Sequence, residues 1–181
     1  MLERSGVRRA KSPTNDDVLA PTGENACERI PGAPLLRFEL SRHDLPLPGT
    51  VVDRLFARSR ERWTDVASDP DQKVLYRAEG PDWFQFVVWF PQRRGTSAIR
   101  VRRLPPGEMW SHGHHLRGRT LNCSLHHYLV RSEGEVGRLN EQVEIRSTST
   151  LLTLYRYRME RSAVRAANEQ LDELVAELRT S

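Results

Sequence analysis

The spacing of the apolar residues differs between two long segments of this chain. From Lys73 to Val130 they recur at every second position, in short runs separated by polar turns. From Ser162 to Leu178 they recur at helical spacing. The first pattern is typical of antiparallel strands joined by hairpins, and the second of an amphipathic helix. We therefore predict an α+β domain in which a curved antiparallel sheet wraps around a long C-terminal helix.

The other predicted elements follow from the same reasoning. Leu35–Leu40 alternates as a strand, and Thr50 followed by Asp53 has the capping-box pattern that opens a helix, here one ending before Asp69. Further strands are predicted at Val74–Tyr76, Trp83–Phe90, Ala98–Leu104, Leu121–Val130, Val143–Ile145 and Leu151–Met159. The C-terminal helix carries one apolar stripe, formed by Val164, Ala167, Leu171, Leu174, Val175 and Leu178. This order leaves room for a ligand cavity between the sheet and the helix.

The N-terminal segment differs in composition from the rest of the chain. Residues 1–34 contain four prolines and many polar residues without apolar periodicity, so we predict a disordered tail followed by one domain over 35–181. The first residues lack the apolar region of a signal peptide, and no apolar run approaches the ~18 residues of a membrane span. We expect a cytoplasmic monomer without a membrane segment.

The charge and the cysteines exclude some classes of protein. The net charge is +4, but 24 acidic residues interleave the 28 basic ones, which indicates a solvated surface rather than a nucleic-acid interface. Cys27 and Cys123 are too few for a disulfide framework, and Cys123 lies in an apolar stretch typical of a buried free thiol.

The segment Trp110-Ser-His-Gly-His-His115 is the most unusual part of the sequence. Five of the six histidines fall between positions 112 and 127, and histidine binds metals and transfers protons near neutral pH. The glycine in this segment, Gly113, has no Cβ, so another molecule can approach its Cα–H closely. Composition alone leaves open whether the histidines or the glycine carry the function. The flanking side chains, His112, His114 and His115, either keep a predicted loop polar or orient a ligand.

The chain is rich in aromatic residues for its size. Between Trp83 and Phe90 they occupy both faces of the predicted strand, so at least one face is expected to line a cavity. A cavity of this kind favours a large, flat, mostly apolar ligand. The candidate ligand-binding residues are Trp83, Trp89, Trp110, His112, His114 and His115.

Catalytic and metal-binding motifs receive little support. The chain has no Gly-x-Ser-x-Gly motif and no glycine-rich phosphate loop. Glu133, Glu135 and Glu141 are interpreted as turn and surface acids. The segment from Leu104 to His114 resembles a cupin metal motif, but the expected glutamate is missing and no histidine follows His127. We therefore predict that the protein needs no metal.

The order of elements over 35–181 resembles the helix-grip superfamily, also called START-like or Bet v 1-like. The whole chain, with its Trp110–His115 segment, resembles the self-sacrifice resistance proteins that protect producers of enediyne antibiotics such as calicheamicin. The resemblance implies a single-use scavenger without a cofactor rather than an enzyme. Its partner would be the drug, with DNA present only as the drug's competing target.

The resemblance also implies a role for Gly113. This residue would give its backbone hydrogen to the drug's diradical, and the chain would then break there. A glycyl radical is stabilised by the adjacent amide nitrogen and carbonyl. Two alternatives remain open at this stage: a polyketide aromatase or cyclase of the same fold, which needs an acid or base in the cavity, and a metal-binding cupin-like protein.

Overall fold

A computed structural model describes Ile30 and residues 32–180 of the chain. Within these described residues, seven strands and three α-helices follow one another, with one turn of 3₁₀ helix at Pro91–Arg93. In chain order the elements are β1 (Leu36–Leu45), α1 (Pro48–Ser68), β2 (Lys73–Gly80), β3 (Trp83–Phe90), β4 (Gly95–Leu104), β5 (Glu108–Arg117), β6 (Thr120–Glu133), β7 (Val136–Ser147), α2 (Thr150–Leu154) and α3 (Arg156–Thr180). The α+β class predicted from the sequence is confirmed.

The strands form one curved antiparallel sheet in the order β1-β7-β6-β5-β4-β3-β2. Strand β5 therefore lies at its centre, between β4 and β6. One face of the sheet, here called the inner face, packs against α1 and α3 in the main apolar core. The opposite, outer face carries a second, smaller apolar cluster. Successive side chains of a strand alternate between these two faces.

The C-terminal stripe packs as the sequence predicts. Ala167, Leu171, Leu174 and Leu178 are buried in α3, and the last three join the main core beside Phe84 and Phe86 of β3. Burying a leucine in this way contributes roughly 1.5–3 kcal/mol. The helix begins six residues before the predicted start at Ser162.

Three local predictions are wrong. Helix α1 begins at Pro48, whose fixed φ suits the first turn, and no side chain caps it, so Thr50 lies inside the helix. The predicted strand at Leu151–Met159 is instead α2 and the start of α3. The histidine-rich segment, expected to be a loop, is the central strand β5. A short apolar run does not distinguish strand from helix, and polar residues are tolerated in a strand whose neighbours supply the hydrogen bonds.

Ile30 extends the packed part of the chain beyond the predicted domain boundary at Leu35. Its side chain is buried in the outer-face cluster, beside Val87 and Cys123. The guanidinium of Arg146 donates to the Ile30 carbonyl at 3.2 Å and to the Gly32 carbonyl at 2.9 Å. The predicted tail over 1–34 otherwise falls mainly outside the described residues, as does Cys27. None of the helices in the described part of the chain combines the length and hydropathy needed to cross a membrane.

Candidate functional site

A cavity of about 660 Å³ lies between the inner face of the sheet and the helices α1 and α3. Its wall includes backbone and side chains of β4, β5 and β6, with Trp63 from α1 and Gln170 from α3 opposite. A second cavity of about 480 Å³ shares Arg62, Tyr128 and Gln170 with it. Together they give a groove large enough for a drug-sized molecule.

Gly113 lies in the wall of this cavity, in the middle of the central strand. It pairs with Ile99 of β4 on one side and with Ser124 of β6 on the other. A Cβ built on Gly113 would lie 2.7 Å from Ser124 Oγ and 3.9 Å from Ile99 Cδ1. Both neighbours line the cavity, so the Cα hydrogen that takes the place of a side chain points to the inner face. The backbone at Gly113 does not have a positive φ, so glycine is favoured at this position by the lack of space for a side chain and not by the backbone conformation.

His115 is the other candidate of this segment whose side chain is on the inner face. Its Nδ1 lies 2.8 Å from Ser97 Oγ, and both residues line the cavity. Burial, followed by the positive charges of Arg93 and Arg117, lowers the pKa of His115. The imidazole is therefore held in the neutral form, in which it can donate or accept one hydrogen bond to a ligand.

The remaining candidates have side chains on the outer face of the sheet. In β5 the alternation places Trp110, His112 and His114 opposite to Gly113 and His115. In β3 it places Trp83 and Trp89 opposite to Phe84 and Phe86, which are buried in the main core. Trp110, predicted from the sequence to bind the ligand, therefore does not line this cavity.

The outer face has its own contacts around Trp110. Its ring stacks on His127, with ring centroids 3.7 Å apart and an interplanar angle of 8°. Glu108 joins the two residues, accepting from Trp110 Nε1 at 2.7 Å and lying 3.0 Å from His127 Nε2. These contacts give Trp110 and His127 a structural role on the outer face.

His114 contributes to the cavity wall, but its ring lies on the outer side, with Nδ1 3.8 Å from Cys123 Sγ. Burial, followed by the charge of His112, lowers the pKa of His114 to about 4. The Cys123 thiol is buried, as predicted, and is not part of a disulfide. The neutral His114 ring and this thiol pack on the outer face of the central strand, so their role at neutral pH is structural.

Sequence reasoning missed one polar cluster in the cavity. His126 Nδ1 lies 2.8 Å from an oxygen of Glu141, whose side chain is only 3% exposed. Tyr128 pairs with Glu141 across β6 and β7, and its hydroxyl interacts with the same carboxylate. Burial, followed by the charge of Glu141, raises the pKa of Tyr128 well above its usual value, so the phenol stays protonated. Glu141, interpreted from the sequence as a surface acid, is a buried acceptor for two donors.

The aromatic lining also differs from the sequence expectation. The aromatic residues in the cavity wall are Trp63, Phe90 and Tyr128. The prediction that one face of the Trp83–Phe90 strand meets a cavity holds through Phe90, at the end of β3. The helical spacing that marks Trp63 as an inward residue of α1 was a usable signal for this position.

The histidines of the cluster do not converge on one point. Alternation separates the rings of His112 and His114 from that of His115, and the rings of His126 and His127 from each other. Within Ile30 and residues 32–180, no group of three His, Cys, Asp or Glu side chains has the geometry to hold a metal ion.

Comparison with known proteins supports the fold alone. No protein-family model matches the chain, and no curated protein matches it. A conserved protein from Geobacillus kaustophilus superposes with a TM-score of 0.54 at 10% identity, covering 81% of this chain and 97% of its own. An uncharacterized protein from Rhizobium leguminosarum gives 0.48 at 12%, covering 81% and 95%. A protein from Rhodobacter sphaeroides gives 0.43 at 15%, covering 84% and 98%.

Proposed function

We propose that this protein belongs to the helix-grip, START-like superfamily and protects against an enediyne antibiotic of the calicheamicin type. It binds the drug between the sheet and α3 and quenches the drug's diradical with a hydrogen from Gly113. The observation that carries the proposal is the position of this glycine. Its Cα–H faces a cavity of about 660 Å³ at the centre of the sheet, whereas all the remaining inner-face positions of β5 carry side chains.

The cavity suits the ligand in size and chemistry. Trp63 and Phe90 provide apolar aromatic surface on two sides, and Ile99 lies beside Gly113. The rigid antiparallel pairing of β5 with β4 and β6 holds the glycine in place, and a reaction at a fixed backbone atom needs such positioning. His115 and Ser124 border the same position and supply polar groups that orient the drug.

The chemistry balances as a hydrogen-atom transfer. A reducing thiol first activates the drug, whose warhead cyclises to an aryl diradical. One aryl radical takes a hydrogen atom from the Gly113 Cα, so a C–H bond forms on the drug and one is lost from the chain. The second aryl radical takes its hydrogen atom from the excess thiol. The resulting glycyl radical becomes planar without a Cβ in the way. Dissolved oxygen then adds to it, and the backbone breaks. Each molecule acts once.

The test is incubation of the protein with thiol-activated calicheamicin, followed by mass spectrometry of the fragments and a DNA-nicking assay. We expect scission at Gly113 in the wild type and its loss in Gly113→Ala and Gly113→Val. Gly49→Ala is the matched control, because its added Cβ meets only an ordinary contact at 3.8 Å. Drug binding should be measured in parallel for each variant.

Two results would contradict the proposal. Scission of the wild type at a position remote from the cavity would place the hydrogen donor elsewhere. Full DNA protection by an uncut, well-folded Gly113→Val protein would show that sequestration alone is the mechanism. The alternatives of a polyketide cyclase and a metal-binding cupin both predict no scission at Gly113.

A further inference from the structure

The cavity contains a polar group that hydrogen donation by Gly113 does not use. His126 lies in the cavity wall on β6, two residues from Ser124, and its ring is 26% exposed. Glu141 reaches it from β7. The ring is therefore accessible from the cavity and held from behind by a buried carboxylate.

This contact selects one tautomer of the neutral imidazole. In the neutral imidazole, a hydrogen bond donated to the Glu141 carboxylate places the proton on Nδ1 and leaves the lone pair on Nε2. Nε2 has no hydrogen-bond partner among the described residues. A histidine oriented by a buried carboxylate, with its other nitrogen toward a cavity, has the arrangement of a general base.

The charges around this pair favour the formation of an anion in the cavity. Arg62 of α1 lines the cavity and acts electrostatically on Tyr128, yet it makes no ion pair with the described residues. Tyr128 and Glu141 face His126 from the sheet. Across the adjoining groove, α1 contributes Arg58, and α3 contributes Glu169 and Glu173. Glu173 is already paired with Arg58, which leaves Arg62 as a cation available to an anionic product.

We propose that the cavity is also a proton-transfer site for flat, uncharged, enolisable ketones. Nε2 of His126 takes a proton from the carbon next to the carbonyl, so the C–H bond breaks and an N–H bond forms. The electron pair moves to the carbonyl oxygen, giving an enolate beside Arg62. The imidazolium is balanced by Glu141, and return of a solvent-derived proton to the carbon completes an exchange cycle. This activity does not depend on the enediyne reaction.

The test uses 2-tetralone in D₂O, with loss of its α-proton signals followed by NMR in the presence of the full-length protein. We expect wild-type exchange to exceed that of His126→Gln by at least about a hundredfold, the lower end of general-base contributions. Glu141→Gln should lower the rate through misorientation of the ring. His126→Ala should lose the exchange activity as His126→Gln does, because both variants lack the imidazole Nε2.

Two controls distinguish the proposal from a structural role and from the drug reaction. His127→Gln changes the adjacent histidine, whose ring lies on the outer face, and should keep the wild-type rate. Scission at Gly113 by the activated drug is assayed on the same proteins as a separate readout, so failure of either activity is recognised separately. Equal exchange rates for the wild type and His126→Gln would overturn the proposal. If Glu141→Gln does not fold, the comparison of the wild type with His126→Gln and His127→Gln still decides it.

Discussion

Gly113 and Ser124 are cross-strand partners at the centre of the sheet, and the hydroxyl of Ser124 occupies the space that a Cβ on Gly113 would need. The 2.7 Å separation is shorter than any ordinary Cβ contact, but the atom involved is the end of a rotatable side chain. The glycine therefore leaves a gap in the inner face that its neighbour partly fills.

This pair predicts the stability of the Gly113 variants. Gly113→Ala should change the free energy of unfolding by no more than about 1 kcal/mol. Alanine is more favourable than glycine within a strand, and this gain in stability offsets the cost of rotating the Ser124 side chain. In the double variant with Ser124→Ala, the clash disappears, and a coupling of roughly 0.5–1 kcal/mol should appear in a double-mutant cycle. Urea denaturation measures all four proteins. A loss well above 2 kcal/mol for Gly113→Ala, unrelieved by Ser124→Ala, would contradict this reading of the contact.

The position of the tryptophans predicts which one reports ligand binding. Trp63 lines the cavity, whereas Trp83, Trp89 and Trp110 have their rings on the outer face. Addition of calicheamicin without thiol should change the intrinsic fluorescence, and Trp63→Phe should abolish most of that change. Trp110→Phe is the matched control and should retain it. A signal lost in Trp110→Phe and kept in Trp63→Phe would place the ligand on the outer face.

His114 predicts a loss of stability in mild acid. Its pKa is about 4 in the folded protein, below the usual 6.5, because burial and His112 disfavour the charged form. The unfolded chain then binds the proton first, so the stability present above pH 6.5 is lost as the pH falls toward 4. The loss is at most about 3 kcal/mol for a shift of this size.

The measurement is the urea midpoint at pH 7.5 and pH 4.5 for the wild type and His114→Leu, which replaces the ring by a non-titrating group. The variant should lose less stability between the two pH values. His43→Leu serves as the matched control, since that side chain is 52% exposed on β1. Identical acid responses of His114→Leu and the wild type would show that His114 is not the responsible group.

The burial of Ile30 predicts that this residue, N-terminal to the sheet, stabilises the apolar cluster on the outer face. Ile30→Ala should lower the free energy of unfolding by about 2–4 kcal/mol, because the side chain is 6% exposed and packs in the second cluster. Leu154→Ala is the control, since Leu154 is 78% exposed and should cost less than about 0.5 kcal/mol. Equal stabilities of Ile30→Ala and wild type would mean that Ile30 does not pack there in solution.

The elements that sequence predicted best are those with the longest periodic patterns. The stripe of α3 and the alternation in β3 are local properties, so they are readable without knowledge of any partner. Strand β5 was missed because its polar and glycine residues hide the alternation. Its place in the sheet comes from hydrogen bonds to β4 and β6, which a single segment does not encode.

Some features of the candidate site were likewise visible in the sequence, whereas others depend on the fold. That Gly113 is unusual was visible from its neighbours in sequence, as was the richness in aromatic residues. The tertiary structure alone decided which side chains share a surface: pairing of β6 with β7 brings Glu141 within 2.8 Å of His126, fifteen positions away. It also placed Trp110, His112 and His114 on the opposite face from the cavity. The physical reason is that a strand's residues alternate by local geometry, whereas the face that becomes the inner one is chosen by where α1 and α3 pack.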